Sequence, residues 1–90
     1  MELFKEKERI YIVGDDGKLL AEVTFPDHGG NTAVIDHTFV DESLRGQGMA
    51  SKLLRKAADS IRKQGKKAKP VCSYAVAWFE KHPEEKDLLD

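Results

Sequence analysis

Two places in this ninety-residue chain carry residue types able to do chemistry. The first is the run Arg45-Gly46-Gln47-Gly48-Met49-Ala50, set between an apolar stretch, Ala33 to Val40, and an amphipathic segment reaching about Gly65. A strand, a glycine-rich turn and a helix in that order form an anion site. The first N–H groups of a helix lack intrahelical partners, and the helix dipole favours negative charge there. Glycines remove the Cβ atoms that would hold a phosphate away from those donors. No Ser, Thr, Asp or Asn immediately precedes Gly46 to cap the helix, so a bound phosphate would fill the cap, with Ser43 the nearest competitor. The second place is Cys72, the single cysteine, where a short strand meets a helix. Helix N-termini favour the nucleophilic thiolate, although a free cysteine is also among the most buried residue types. His37, beside Thr38 in the apolar run, and His82 are its candidate bases, and Asp36, Asp41 and Glu42 are carboxylates able to take a proton from an amine. His28 lies in a glycine-rich loop and carries no signal. Three histidines and one cysteine do not fall at metal-ligand spacing, so no metal is expected.

The elements that must position these residues follow from periodicity. Arg9 to Val13 is rich in β-branched and aromatic residues and reads as a strand, with some strand character back into Leu3–Glu8. Gly14-Asp15-Asp16-Gly17 is a turn, and the alternation of Leu19, Ala21, Val23 and Phe25 gives a second strand. Pro26 to Asn31 is a loop. Thr32 to Val40, apolar on much of both faces, reads as one central strand. Ala50, Leu53, Leu54, Ala57, Ala58 and Ile61 lie on one helical face, and Gly65 caps that helix. Ala68 to Cys72 is a fourth strand, in which Pro70 lacks an N–H and belongs at an edge or bulge. Tyr74 to His82 reads as a second helix presenting Val76, Trp78 and Phe79, and Pro83 ends it. The remaining residues read as a helical turn or a frayed tail. The expected class is α/β (α+β), in the order β-β-β-α-β-α: a mixed, mostly antiparallel sheet with a central β-α-β crossover, in a single domain spanning 1–90.

Composition narrows the classes. A chain with 40% hydrophobic and 34% charged residues is ordinary for a soluble globular protein, and no run approaches the roughly 18–20 apolar residues of a membrane span. The mixed-charge N-terminus is not a signal peptide, and one cysteine excludes an internal disulfide, so cytoplasm is the expected location. The net charge of −1 hides a basic middle: residues 1–44 hold ten acids and four bases, residues 45–69 nine bases and one acid. Such a middle suits a polyphosphate ligand or nucleic acid, or is simply a solvated helix face.

Among phosphate-binding patterns, the P-loop is absent. The dinucleotide fingerprint fails at Ser51, which stands where its third small residue belongs, and no acid stands about 20 positions on. Arg45-x-x-Gly48-x-Ala50 matches the R/Q-x-x-G-x-G/A signature of the GNAT superfamily of acyl-CoA-dependent N-acetyltransferases. The chain resembles in particular its short, single-domain YjdJ-type branch. The residues carrying that resemblance are His37-Thr38-Phe39-Val40, Leu44 to Ala50, Pro70-Val71-Cys72-Ser73-Tyr74 and His82-Pro83-Glu84.

The resemblance implies a GNAT-like fold with acetyl-CoA as co-substrate. It implies that Gln47, Gly48, Met49 and Ala50 offer backbone N–H groups to the pyrophosphate, that Arg45 and Gly46 shape the turn, and that Phe39 and Val40 pair with the pantetheine arm. Ser73 and Tyr74 join this cofactor-binding set, and Cys72 lies near the acetyl group with His37 as its catalytic companion. Pro70 then leaves a cleft between the third and fourth strands for the thiol arm. The expected activity is transfer of acetyl to an amine on a protein lysine or small molecule, with Cys72 a candidate carrier. The helices that larger members carry between their first two strands are lacking, which keeps open a non-catalytic CoA-binding regulatory domain. Nucleic-acid binding is the weakest of the three readings, because the basic helix lacks interleaved aromatics.

Overall fold

The computed structural model describes residues 1–90. Strand β1 (Glu2–Glu6) turns through Lys7 and Glu8 into β2 (Arg9–Val13), and a tight turn held by Gly14 N–H on Lys18 C=O leads to β3 (Leu19–Thr24). After the 26–31 loop come β4 (Thr32–Ile35) and β5 (His37–Val40), a 3-10 turn (Glu42–Leu44), α1 (Met49–Lys63), β6 (Lys67–Pro70), α2 (Ser73–Lys81) and a closing 3-10 turn (Pro83–Leu88). The result is a mixed α+β fold with a mostly antiparallel sheet, as expected. No helix is long and apolar enough to cross a membrane.

The N-terminal segment is a full strand. Its sequence alternation is poor, with only Leu3 partly covered, and its extended state comes from pairing with β2 from Glu2↔Val13 to Glu6↔Arg9.

The single central strand expected over Thr32–Val40 is in fact two. Asp36 and His37 are both exposed, whereas Ile35 and Val40 are buried and Thr38 is half-buried. Two successive outward residues shift the alternation by one, which is what an inserted bulge residue does. The extra residue is held against β3: Asp36 N–H donates to Thr24 C=O (3.3 Å), and the Thr24 hydroxyl donates to the Asp36 carboxylate (2.5 Å). The break divides the hydrogen bonding into β1-β2-β3-β5, antiparallel throughout, and β4-β6, parallel. The crossover through α1 therefore makes β6 parallel to β4 only.

Pro70 is the last residue of that parallel ladder, opposite Ile35, and β6 ends there, two residues before the expected end. Val71 and Cys72 N–H groups then share the Ile35 carbonyl at 3.0 and 3.2 Å.

Twenty buried apolar residues form one cluster. Leu53, Leu54, Ala57, Ala58 and Ile61 of α1 lie in it with Ile10, Ile12, Ala21 and Val23 from the sheet, and each such side chain contributes about 1.5–3 kcal/mol when fully buried. The C-terminus of α1 closes as read from Gly65: Gly65 N–H donates to Arg62 C=O and Lys66 N–H to Ile61 C=O, with Gly65 at φ 71°. On α2 the buried residues are Ala75, Trp78 and Phe79 at i, i+3 and i+4. Val76 falls outside that arc and is exposed, which corrects its assignment to the apolar face. The C-terminal residues are not frayed. Leu88 is buried, Glu85 bonds Arg55 and Arg62 of α1 (3.1 and 3.2 Å), and Asp90 N–H donates to Ala68 C=O of β6.

Candidate functional site

The break at Asp36 builds the site. Below it β4 and β6 are laddered; above it β5 follows β3, and the chain after Pro70 turns into α2. The two paths diverge from the Ile35 carbonyl, leaving a wedge with its apex at Ile35, Val71 and Cys72. Because β5 is an edge of its sheet, half its backbone groups face this wedge. Asp41 N–H donates to Leu20 C=O (2.7 Å), so alternation turns Phe39 toward β3 and Thr38 and Val40 toward the wedge. This corrects the expected pair Phe39 and Val40: Val40 presents its backbone there, and Phe39 does not.

The wedge opens onto a pocket of about 240 Å³, lined by Val40, by Leu44 to Gly46, by Gly48 to Ser51 and by Tyr74. The turn over it is set by local chemistry. The Asp41 carboxylate accepts from Ser43 O–H (2.6 Å) and Ser43 N–H (3.1 Å), starting the 3-10 turn. Those Ser43 bonds, with desolvation opposing and Lys18 assisting, hold the Asp41 carboxyl below its usual range. Arg45 donates through Nε to the Val40 carbonyl (3.2 Å), and Gln47 through its amide to Ser43 C=O (3.4 Å), so both side chains brace the turn. Gly46 and Gly48 take φ 82° and 70°, the left-handed region, and a Cβ on either would stand in open space.

Gly48 is the N-cap of α1, and no side chain caps the helix. Ser43 is spent on Asp41, so it does not compete for the helix terminus. The first-turn N–H groups of Met49, Ala50 and Ser51 lie beyond a glycine cap beside an open pocket, a donor set that fits a pyrophosphate.

Cys72 is the N-cap of α2, half-buried, with its Sγ 3.2 Å from the Thr38 hydroxyl. Ser73 begins α2, and Tyr74 reaches the pocket. The histidines are placed elsewhere. His37 follows Phe39 to the opposite face of the sheet from Thr38, where its Nε2 lies 3.3 Å from Glu22 Oε1, and Glu22 also bonds Arg9. His82 bonds the Trp78 carbonyl through Nδ1 (2.7 Å) and stacks on the Trp78 ring. Neither is hydrogen-bonded to Cys72. The bulge, invisible in composition, is what turned His37 away. Ser51 is a residue to which the sequence reading gave no binding role; it lines the pocket and accepts from Trp78 Nε1 (2.9 Å).

Three of the nine bases in the basic middle are engaged in ion pairs. Arg55 pairs with Glu84 and Glu85, Arg62 with Glu85 and Asp87, and Lys66 with Asp27. No three His, Cys, Asp or Glu side chains converge.

A family model described as GCN5-related N-acetyl-transferase matches residues 9–88. No curated protein matches the chain. Among solved structures, a GCN5-like protein from Staphylococcus aureus is 32% identical over 99% of this chain and 87% of its own, with a TM-score of 0.81. GCN5 of Tetrahymena is 18% identical with a TM-score of 0.65, over 81% of this chain and 48% of its own. A ribosomal-protein-alanine N-acetyltransferase from Brucella melitensis is 20% identical with a TM-score of 0.60, over 84% and 59%. The last two are similar in fold, and this chain spans about half of each.

Proposed function

The chain belongs to the GCN5-related N-acetyltransferase family, and on that premise we propose that it binds acetyl-CoA across the β5–β6 wedge and transfers acetyl to an amine. The observation that carries the reading is the break at Asp36, which opens an unpaired strand edge directly below an uncapped helix N-terminus. On this reading the N–H groups of Gln47 to Ala50 would hold the pyrophosphate, supported by the uncapped start of α1, and Thr38 and Val40 would offer backbone partners to an extended pantetheine arm.

When bound, acetyl-CoA supplies the acetyl group as an activated thioester. On this reading Cys72, at the apex, accepts it. The Cys72 thiol gives up its proton and its sulfur bonds to the carbonyl carbon; the thioester C–S bond breaks, and the departing CoA sulfur takes a proton. An amine then attacks the acetyl-cysteine, forming the amide and restoring the thiol once its own proton is lost. Thr38 holds the sulfur through its hydroxyl at 3.2 Å. His37 has no place in this sequence of steps, because it lies on the other face against Glu22.

Acetyl-CoA should raise the melting temperature in a dose-dependent way, as any ligand of the native state does. Intact-mass analysis should find one acetyl group on the native protein and none on Cys72→Ala. An equal adduct on the variant removes Cys72 and leaves direct transfer; no thermal shift at millimolar ligand ends the reading.

One observation favours a second reading, a CoA-binding domain that acts without turnover. Strands β1 and β2 are joined by Lys7 and Glu8 alone, so no helices stand between them to seat an acceptor. Release of free CoA thiol with a panel of amines would exclude it.

A further inference from the structure

Strand β1 projects past the helix that covers its sheet. A helix is about 10 Å wide and strands stand roughly 4.8 Å apart, so one helix covers about two to three strands. Helix α1 lies over β2, β3 and β5, and β1 is the edge strand beyond β2. The seam left between β1 and α1 holds a groove of about 370 Å³. Leu3 and the buried Ile12 and Met49 form its apolar part, with the exposed Met1 beside them. Lys52 and Lys56 of α1 line its helix side, and Glu2 is the one acid in it. At the other end of α1, Gln64 donates to Lys7 C=O (2.9 Å) and ties the helix to the β1–β2 turn. We propose that this seam is a second binding site, for a small anionic amphiphile: a medium alkyl chain or fused ring pair carrying one carboxylate. The proposal is independent of the acetyl-CoA reading.

Charge sets the sign of the ligand. No carboxylate pairs with Lys52 or Lys56, whereas Arg55 and Arg62 of the same helix are held by Glu84, Glu85 and Asp87. The only acid of α1, Asp59, lies against Arg62. Lys52 also stands in the first turn of α1, at the positive end of the dipole, with no acid there to balance it. Two unpaired ammoniums against one carboxylate leave the seam cationic.

Shape sets its size. Met49, Lys52 and Lys56 stand at i, i+3 and i+7, so they share one face of α1. From Met49 to Lys56 the helix rises roughly 10 Å, the length of a medium alkyl chain. The volume falls within the roughly 300–1,000 Å³ of small-molecule sites. Met1 and Met49 are unbranched and polarisable, and such side chains adapt to apolar bodies of different shape.

The opposite face of the same hairpin end shows why the cations matter. A pocket of about 380 Å³ there is lined by Phe4 and Val13 together with Glu2 and Asp15, and by no lysine or arginine. It offers apolar surface beside carboxylates, so it repels the anion that the α1 side attracts. The pocket under the glycine turn shares only Met49 with the seam, so the two sites are separable by experiment.

Amide NMR titrations with octanoate and with 1-octanol test the proposal on the native protein. Octanoate should shift the resonances of Leu3, Ile12 and Lys52, and should bind about tenfold more tightly than octanol, the scale of two partly exposed charge contacts. The Lys52→Gln, Lys56→Gln double variant should bind the two ligands equally. Leu3→Ala should weaken both about fivefold, through lost apolar contact. Circular dichroism melts establish that each variant is folded. Equal binding of octanoate and octanol by the native protein overturns the proposal. So does the absence of shifts at millimolar octanoate, which would mean that the lysine stems themselves fill the seam. Shifts confined to Gly46, Gly48 and Tyr74, and abolished by CoA, would place the anion under the glycine turn and also overturn it. Co-sedimentation with phosphatidylglycerol vesicles, without shifts from free octanoate, would assign the lysines to a lipid surface instead.

Discussion

Replacing Gly48 by alanine separates the role of the turn in folding from its role in binding. Gly48 sits at φ 70°, where a Cβ costs about 1–2 kcal/mol against the following carbonyl. The stiffer unfolded chain returns about 0.4–1 kcal/mol of this. No heavy atom lies within 4 Å of the added Cβ, so no clash is added. The net loss should be about 1 kcal/mol, or roughly 4–8 °C in melting temperature for a domain of this size. Gly65 is a matched control: its φ is 71°, its Cβ would also stand in open space, and it closes the other end of the 15-residue α1. Gly65→Ala should therefore melt like Gly48→Ala.

Binding should divide the pair. A methyl group at Gly48 projects beside the pocket and would keep a phosphate from the roughly 2.9 Å approach a hydrogen bond needs. Losing one charge-assisted bond costs about 1.5–3 kcal/mol, or roughly tenfold to a hundredfold in CoA affinity by calorimetry. Gly65→Ala should bind CoA within about twofold of the native protein, since the added strain lies in a remote cap. Equal affinity of the two variants would refute the placement of a phosphate against this turn.

Three further outcomes follow from the ion pairs. Asp27 is held below its usual range by Lys66 and by Gly29 N–H, and Asp41 by the Ser43 hydroxyl and N–H. Both carboxylates contribute above the ordinary aspartate value of 3.8, and the contribution is lost as pH falls through their lower folded values, because the unfolded chain takes up protons first. Melting temperature should thus drop on acidification below about pH 4. The Asp27→Asn, Asp41→Asn double variant should show a shallower drop. Glu85→Ala should cost about 1–2 kcal/mol in urea melts with an unchanged slope, because Arg55 and Arg62 are exposed enough to regain water.

Much of the fold was legible in the residue order. Helix α1 was visible because its apolar residues keep the spacing of a helix face from Ala50 to Ile61, and its C-terminus because a glycine follows its basic last turn. The anion-binding turn was visible for the same local reason. Two glycines after a strand, with no cap residue, admit few backbone conformations, and Gly46 and Gly48 take the left-handed one. The edge role of Pro70 needed only its missing N–H.

Three features depended on the assembled structure. Strand β1 is extended because β2 pairs with it, not because of its own pattern. The Asp36 bulge depends on Thr24, twelve residues earlier in the chain, offering a carbonyl and a hydroxyl at the right place. The Thr38–Cys72 contact joins residues 34 apart. The chain by itself determined that a strand, a glycine turn and a helix would present unpaired N–H groups, because those are properties of neighbouring residues. Tertiary structure decided which strand edge lies open beneath them and which side chain stands at the apex. One extra residue in a strand reverses the face of every residue after it, and only packing against a partner strand determines where that residue goes.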